Sequence, residues 1–368
     1  MVISGYYGFG NAGDEAILAS TVASLRAAMP GLGITVISKN PSATCADLDV
    51  RAVGRFDIAG ITRALLGSGM LLSGGGSLLQ DVTSVRSLVY YLGVMALARS
   101  LGRKVMLFAN GFGPVTSRQG RVLCRAVLNT IDIATFRDRN SLDDVLQLGV
   151  SRPYTEVTAD PVFLLDDTLS AAGRAQYAAA AQQALLSAGV PTVGGPLVMV
   201  SLRPWKHAPA TFDSTMRKAL VRLSAMGARV LLTPLHFDQD GAFCGEVASG
   251  AEFPLYVLRE RVKPQVMLEI AGLSHAVLGM RLHSLVFAVS KAVPCAAISY
   301  DPKVQSFAQS AGITTACDAR SPSVESISTV VEDLLVHRAE MSKQLAVRRA
   351  EFVRLARRNI EIVREALG

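Results

Sequence analysis

The sequence is short of aromatic and charged residues. It has one tryptophan, a 6% aromatic share and 18% charged residues over 368 positions. A nucleic-acid surface needs stacking rings interleaved with clustered bases, so nucleic acid is not an expected partner. The five cysteines, at 45, 124, 244, 295 and 317, include no CxxC pair. That argues against a disulfide framework and against a zinc site. HExxH and HxH spacings, a GxSxG elbow and a P-loop are all missing. His236 with Asp238 and Asp240 is the nearest approach to a ligand cluster, and neither a metal nor a cofactor is expected. The longest apolar run, residues 88–98, falls well short of the ~20 residues that cross a bilayer. Met1–Ser4 lead straight into a strand-like segment with no basic stretch, so the expectation is a soluble, cytoplasmic chain without a signal peptide.

What is abundant is apolar sequence, half of all residues. Short apolar runs alternating with helical periodicity are the pattern of an α/β protein whose parallel strands are buried on both faces. The length calls for two domains. A net charge of +7 favours anionic partners, including small phosphorylated molecules and acidic membrane surfaces.

The strand ends carry the chemistry. Val2–Ser4 is followed by GYYGFGNAGDE, and residues 8–13 form a literal GxGxxG between a strand and a helix. A dinucleotide site would also want a carboxylate closing the second strand, yet Ile34–Ile37 ends in Ser38-Lys39-Asn40. Asp14 and Glu15 open the helix with negative charge, which favours the helix dipole and would repel a pyrophosphate. Met70–Leu72 runs into Gly74-Gly75-Gly76, a place where backbone must approach something closely. Val105–Phe108 ends in Asn110-Gly111-Phe112-Gly113-Pro114, and Ile133–Phe136 ends in Arg137-Asp138-Arg139-Asn140-Ser141. In an open α/β sheet such ends share one edge, where ligands bind.

Val190–Pro196 is the best candidate boundary, and after it the rhythm restarts. Its strand ends gather Arg203, His236, Arg281, His283 and Lys303. The densest stretch is 275–288, HAVLGMRLHSLVFA. A strand over Ala276–Leu278 stops at Gly279 and a helix follows, with Ser284 a candidate cap. Helix amides and dipole favour an anion there, Arg281 offers a planar fork, and His283 can exchange a proton near neutrality. The C-terminal segment carries Arg348, Arg349, Arg354, Arg357, Arg358 and Arg364 among apolar residues. It reads as a packing helix with a solvated basic face, with attraction to an anionic membrane as the alternative. The expected architecture is two Rossmann-like domains facing across a cleft. One spans residues 1–170, with the helix 350–368 packed on it, and the other spans 190–345.

The blocks GYYGFGNAGDEAIL (5–18), GGGSLLQD (74–81), GFGP (111–114), RDRNS (137–141), MRLHSLVFA (280–288) and YDPKV (300–304) together resemble the polysaccharide pyruvyl transferase family. Within it they resemble the bacterial branch that pyruvylates secondary cell-wall polymers. Asn110 stands where the family pattern has Gln. The resemblance implies a GT-B-like fold and transfer of a pyruvyl group from phosphoenolpyruvate to two hydroxyls of one sugar, giving a cyclic ketal. The implied acceptor is a β-linked N-acetylmannosamine on a lipid-linked precursor, which would bring the chain to the inner face of the membrane. A carboxylate and a phosphate held close together need fixed cations. Arg203, Arg281 and Lys303 suit that need, with His236 assisting and Leu282 and His283 in the same donor set. His283 is the candidate general acid and Asp14 the candidate base. Asn11, Asp14, Gly75, Gly76 and Arg137 form the candidate acceptor side. Rival readings are a GT-B glycosyltransferase using a nucleotide sugar, a nicotinamide-dependent oxidoreductase and a non-enzymatic binding protein. Whether the chain forms a homo-oligomer is open.

Overall fold

The computed structural model describes residues 1–82 and 84–368. The chain divides into two compact units. The first comprises Met1–Phe9, Asp14–Thr168 and Phe352–Gly368; the second comprises Gly10–Gly13 and Leu169–Glu351.

The first unit is built on a seven-stranded, all-parallel sheet. Its strands are β1 (Val2–Ser4), β2 (Thr35–Ser38), β3 (Arg51–Gly54), β4 (Met70–Gly74), β5 (Lys104–Asn110), β6 (Ile133–Phe136) and β7 (Tyr154–Val157). Their order is β3-β2-β1-β4-β5-β6-β7, so the direction of winding reverses between β1 and β4. The loops after those two strands therefore lie at the switch point, where an open sheet offers a crevice. The central strands are wholly buried, whereas β3 and β7 at the two edges are mostly half-exposed. Helices α1 (Ala12–Ala28), α2 (Pro41–Leu48), α3 (Ile58–Leu66), α4 (Val85–Ser100), α5 (Arg118–Leu128) and α6 (Arg139–Gln147) connect them. Several start on side-chain caps the sequence spells out: Asn40 before Pro41, Asp57, Ser117 and Asp138 each accept a first-turn N–H.

The second unit repeats the plan with six parallel strands. They are β8 (Leu197–Ser201), β9 (Arg229–Leu232), β10 (Leu255–Val257), β11 (Ala276–Gly279), β12 (Cys295–Ser299) and β13 (Thr314–Asp318). The order β10-β9-β8-β11-β12-β13 puts its switch point between β8 and β11. Helix α7 (Ala171–Ser187) belongs to this unit and packs on α10 (Pro264–Leu273), so the division falls ahead of α7. Helices α8 (Phe212–Ala225), α9 (Phe237–Ala248), α11 (Leu282–Ser290), α12 (Pro302–Ala311) and α13 (Val324–Val336) complete it. The expected α/β architecture of two Rossmann-like, GT-B-type units is the one present.

The last helix, α14 (Arg338–Leu367), contributes its final stretch to the first unit. There the buried Asn359 accepts hydrogen bonds from the hydroxyls of Thr135 (2.7 Å) and Thr158 (2.9 Å) and donates to the Ala159 carbonyl at 3.1 Å. Phe352 stacks on Phe163 with ring centroids 4.7 Å apart. In that stretch Arg357 is neutralised by Asp167 at 2.7 Å and Arg358 by Glu156, Glu361 and Glu365. No helix among the described residues is long and apolar enough to cross a membrane.

Candidate active site

In the second unit the β11–α11 turn carries the densest group of candidate side chains, Arg281, Leu282 and His283. Gly279 is required by close approach, because a Cβ there would meet Leu285 Cδ2 at 2.7 Å. Helix α11 then opens with Arg281 as its first flanking residue, and Ser284 does not cap it. The Ser284 hydroxyl instead donates back to the Arg281 carbonyl at 2.6 Å.

Arg281 does not present an open fork. Its Nε and Nη2 donate to the two carboxylate oxygens of Asp240, at 3.0 and 2.5 Å. Asp240 is wholly buried and Arg281 nearly so, with side-chain exposures of 0% and 12%. The same carboxylate accepts the His236 backbone N–H at 2.9 Å. Asp240, which the sequence grouped with metal-type ligands, is thus the counter-ion that fixes Arg281 and the start of α9. Among the described residues no group of three or more His, Cys, Asp or Glu is placed to hold a metal ion.

The His236 ring is buried, and neither Nδ1 nor Nε2 has a hydrogen-bond partner among the described residues. Burial first, then the neighbouring Arg281 charge, push its pKa below the usual 6.5. It is held as a neutral imidazole, able to donate with one nitrogen and accept with the other.

The glycine loop after β1 reaches this place through Gly10–Gly13. Ala12 donates its N–H to the Leu235 carbonyl at 2.8 Å, and Asn11 forms an antiparallel bridge with His236. Gly13 lies against the His283 imidazole so closely that a Cβ would fall on the ring. Gly10, at φ +72°, leaves room for Arg261, whose guanidinium carbon would be 2.6 Å from a Cβ. Arg261 pairs with Asp238 at 2.9 Å. Arg261 is not among the candidates named above; its signal is the charge run Arg259-Glu260-Arg261 after β10, one more strand end.

Arg203, after β8, donates from Nη1 to the Tyr300 hydroxyl at 3.0 Å, and its guanidinium carbon lies 5.2 Å from that ring's centre. Lys303, in the first turn of α12, lies 3.5 Å from Asp301 and remains partly exposed. The strand ends of β8 and β12 are thereby tied together through Arg203 and Tyr300.

The first unit has its own set of close approaches. Asp14, buried in the first turn of α1, lies beside Gly76, where a Cβ would be 2.7 Å from Asp14 Oδ1. Gly75 leaves room for Tyr7 and Ile17, and Gly76 and Gly75 have φ of +79° and +82°. Tyr7 donates its hydroxyl to the Gly74 carbonyl at 2.5 Å. Burial, reinforced by the Asp14 charge, drives the Tyr7 pKa well above 10 and keeps it a donor. Arg137 is only 7% exposed, 3.5 Å from Asp160 and 2.9 Å from the Ser77 hydroxyl. It joins the ends of β4 and β6. Asn110, at the end of β5, is fully buried and its amide has no partner among the described residues; Ser4 and Ser73 are in the same condition. Ser4 and Ser73 face one another in register across β1 and β4.

Residues 11–302 match the family model described as polysaccharide pyruvyl transferase. The chain belongs to the polysaccharide pyruvyl transferase family. It is accordingly an enzyme, a transferase. No curated protein sequence matches it. Among solved structures it is similar to Anabaena HepE in complex with UDP and glucose, with TM-score 0.65 and 10% identity over 100% of this chain and 98% of that one. The UDP-GlcNAc 2-epimerase of Neisseria meningitidis bound to UDP-GlcNAc gives TM-score 0.68 at 11% identity, covering 99% of both chains. A glycosyltransferase from Rickettsia africae gives 0.62 at 9%, over 100% and 98%. At these identities the likeness is one of fold.

Proposed function

We propose that this pyruvyl transferase takes its pyruvyl group from phosphoenolpyruvate and sets it on two hydroxyls of one sugar in a cell-wall glycan, a β-linked N-acetylmannosamine on a lipid-linked precursor. The observation that supports the donor half is the β11–α11 turn: His283 in the first turn of a helix, beside an arginine fixed by a buried carboxylate and a neutral, unpartnered His236. Phosphoenolpyruvate carries its carboxylate and its phosphate on one carbon, so two anionic groups must be held side by side. The α11 amides at Leu282, together with Arg203 and Lys303, supply positive potential for them. Arg281 adds charge, with its fork turned to Asp240.

In this reading His283 delivers a proton to the methylene carbon, and the electron pair of the C=C bond takes it up. The central carbon becomes an oxocarbenium centre, and the first sugar hydroxyl attacks it and loses its proton to Asp14. The C–O bond to phosphate then breaks, and the second hydroxyl closes the ring. One hydroxyl proton replaces the proton given to carbon and the other leaves with phosphate, so atoms and charge balance. Asn11, Gly75, Gly76 and Arg137 are the acceptor-side residues of this proposal.

Calorimetric titration with phosphoenolpyruvate, UDP and NADH separately tests it. Binding of phosphoenolpyruvate alone, together with phosphate release that depends on a glycan acceptor, supports the proposal. Binding of UDP with no response to phosphoenolpyruvate overturns it in favour of a nucleotide-sugar enzyme.

A further inference from the structure

In the first unit, α3 and α4 turn an apolar surface outward. Phe56 is 81% exposed, Ile58 61%, Leu66 55%, and Val85 and Val89 each 49%. Gly93 and Ala96 continue the exposed side of α4, and Arg86 is the one charge on that side. A helix packed on a sheet ordinarily carries several charges on its outer face, so this one is out of place against water.

The surface is one fixed piece. Helix α3 packs on α4, and the Phe56 ring meets Tyr90 edge-on at 6.0 Å. Tyr90 donates its hydroxyl to the Arg55 carbonyl at 3.0 Å. The Arg55 guanidinium lies over the rings of Tyr90 and Phe9, at 4.5 and 4.9 Å. Phe56 thus protrudes from a rigid base of rings and guanidinium.

The charges around it are mostly of one sign. Residues 51–100 contain five arginines and no lysine or glutamate. Their two carboxylates are both engaged: Asp57 caps α3 through the Gly60 N–H at 2.8 Å, and Asp81 is buried and bonded to Thr116 and Ser117. Arg63 and Arg86 are exposed beside the apolar residues.

We infer that this α3–α4 surface docks on an anionic lipid bilayer, with Phe56, Ile58, Val85 and Val89 entering the headgroup region and Arg63 and Arg86 meeting lipid phosphates. Charge complementarity selects the lipid over a second copy of the chain. A two-fold contact would bring Arg63 and Arg86 towards their own duplicates, with only Asp57, which caps α3, to set against them. Lipid phosphates supply the missing sign. Phe56 and Ile58 follow β3, and Val85 follows β4, so the surface starts at the strand-end edge that also carries Asp14, Gly75 and Gly76. The inference deepens the lipid-linked-acceptor reading. Its readout is binding without any substrate, so its failure is distinct from failure of pyruvyl transfer.

The test is co-sedimentation of the full chain with phosphatidylcholine vesicles containing about one third phosphatidylglycerol, and with pure phosphatidylcholine vesicles. Binding to the anionic vesicles that falls with added salt is expected. Arg86→Gln should weaken it about fivefold, and Phe56→Ser with Val89→Ser should weaken it tenfold or more. All three positions are surface sites where folding is retained, which a thermal melt verifies. Val347→Ser, at another exposed apolar position, should leave binding unchanged. No sedimentation with anionic vesicles overturns the inference. So does binding lost in Arg354→Gln on α14 but kept in the Phe56 variant, or a concentration-dependent dimer that Phe56→Ser dissolves while vesicles are ignored.

Discussion

Arg281 and Asp240 are 41 residues apart in sequence and meet through two parallel hydrogen bonds, with the carboxylate wholly out of reach of solvent. The pair joins the end of β11 to the first turn of α9, and its two charges act in opposite directions on the buried histidine beside it.

Replacing Asp240 with asparagine should strand the Arg281 charge in a nearly buried position. Losing one partner of such a pair costs about 3–5 kcal/mol. Urea unfolding of Asp240→Asn measures it, and a change below about 1 kcal/mol would show that water reaches the guanidinium.

His236 should titrate below 6.5, because burial and Arg281 both disfavour its charged form. The unfolded chain binds that proton more readily, so the His236 contribution to stability is complete above about 6.5 and is withdrawn as the pH falls through and below that value. Imidazole NMR should place the midpoint low in the wild type and lower in Asp240→Asn, since Asp240 works in the opposite direction. His236→Gln should flatten the acid side of the stability profile. A midpoint at or above 6.5 refutes the account.

Gly13→Ala places a methyl on the His283 ring. If that ring carries the proton, kcat should fall about tenfold or more while phosphoenolpyruvate still binds by calorimetry. His283→Ala should lose about 10²–10⁴-fold in kcat, with donor binding retained. Normal turnover in His283→Ala would remove the general acid from the proposed mechanism.

Gly76→Ala combines a φ of +79° with a Cβ 2.7 Å from Asp14 Oδ1. The backbone alone costs about 1–2 kcal/mol, and Asp14 must shift as well. A lowered Tm together with reduced acceptor-dependent turnover is expected. A Tm within a degree of the wild type would mean that the loop accommodates the methyl elsewhere.

Asp81 accepts both the Thr116 and Ser117 backbone N–H groups, each at 2.8 Å. Burial would raise its pKa, but the hydrogen bonds from Ser117 and Thr116 prevail and bring it to about 2. Its stabilisation is present above the usual carboxyl pKa of 3.8 and disappears as the pH falls towards 2. Asp81→Asn should cost about 1–3 kcal/mol at neutral pH and soften that acid limb in a pH series of thermal melts.

Much of this was legible in the sequence because a parallel strand buried on both faces must be an uninterrupted apolar run. Val2–Ser4, Met70–Gly74, Val105–Asn110 and Ala276–Gly279 announce themselves in that way, and their ends mark the sheet edges. β3 and β13 carry no such run. Both are outermost strands, and Arg51–Gly54 and Thr314–Asp318 are half-exposed enough to carry Arg, Thr and Asp. Asp14 could be placed because a first-turn acid is a local signal. The Arg281–Asp240 pair could not, because it depends on strand order and helix packing over a long separation. The same holds for Arg137, whose partners Ser77 and Asp160 come from two other loops.

Asn359 satisfies Thr135, Thr158 and the Ala159 carbonyl from 200 or more residues further along the chain. During synthesis the first unit's sheet emerges long before this residue does, and Leu169–Glu351 of the second unit is made in between. Until α14 leaves the ribosome, the β6–β7 side of that sheet lacks its asparagine and its stacked Phe352. The first unit must therefore wait, incompletely closed, for Phe352–Leu367 to be made, and a fragment containing only residues 1–168 should be a poor folder and a ready client for chaperones.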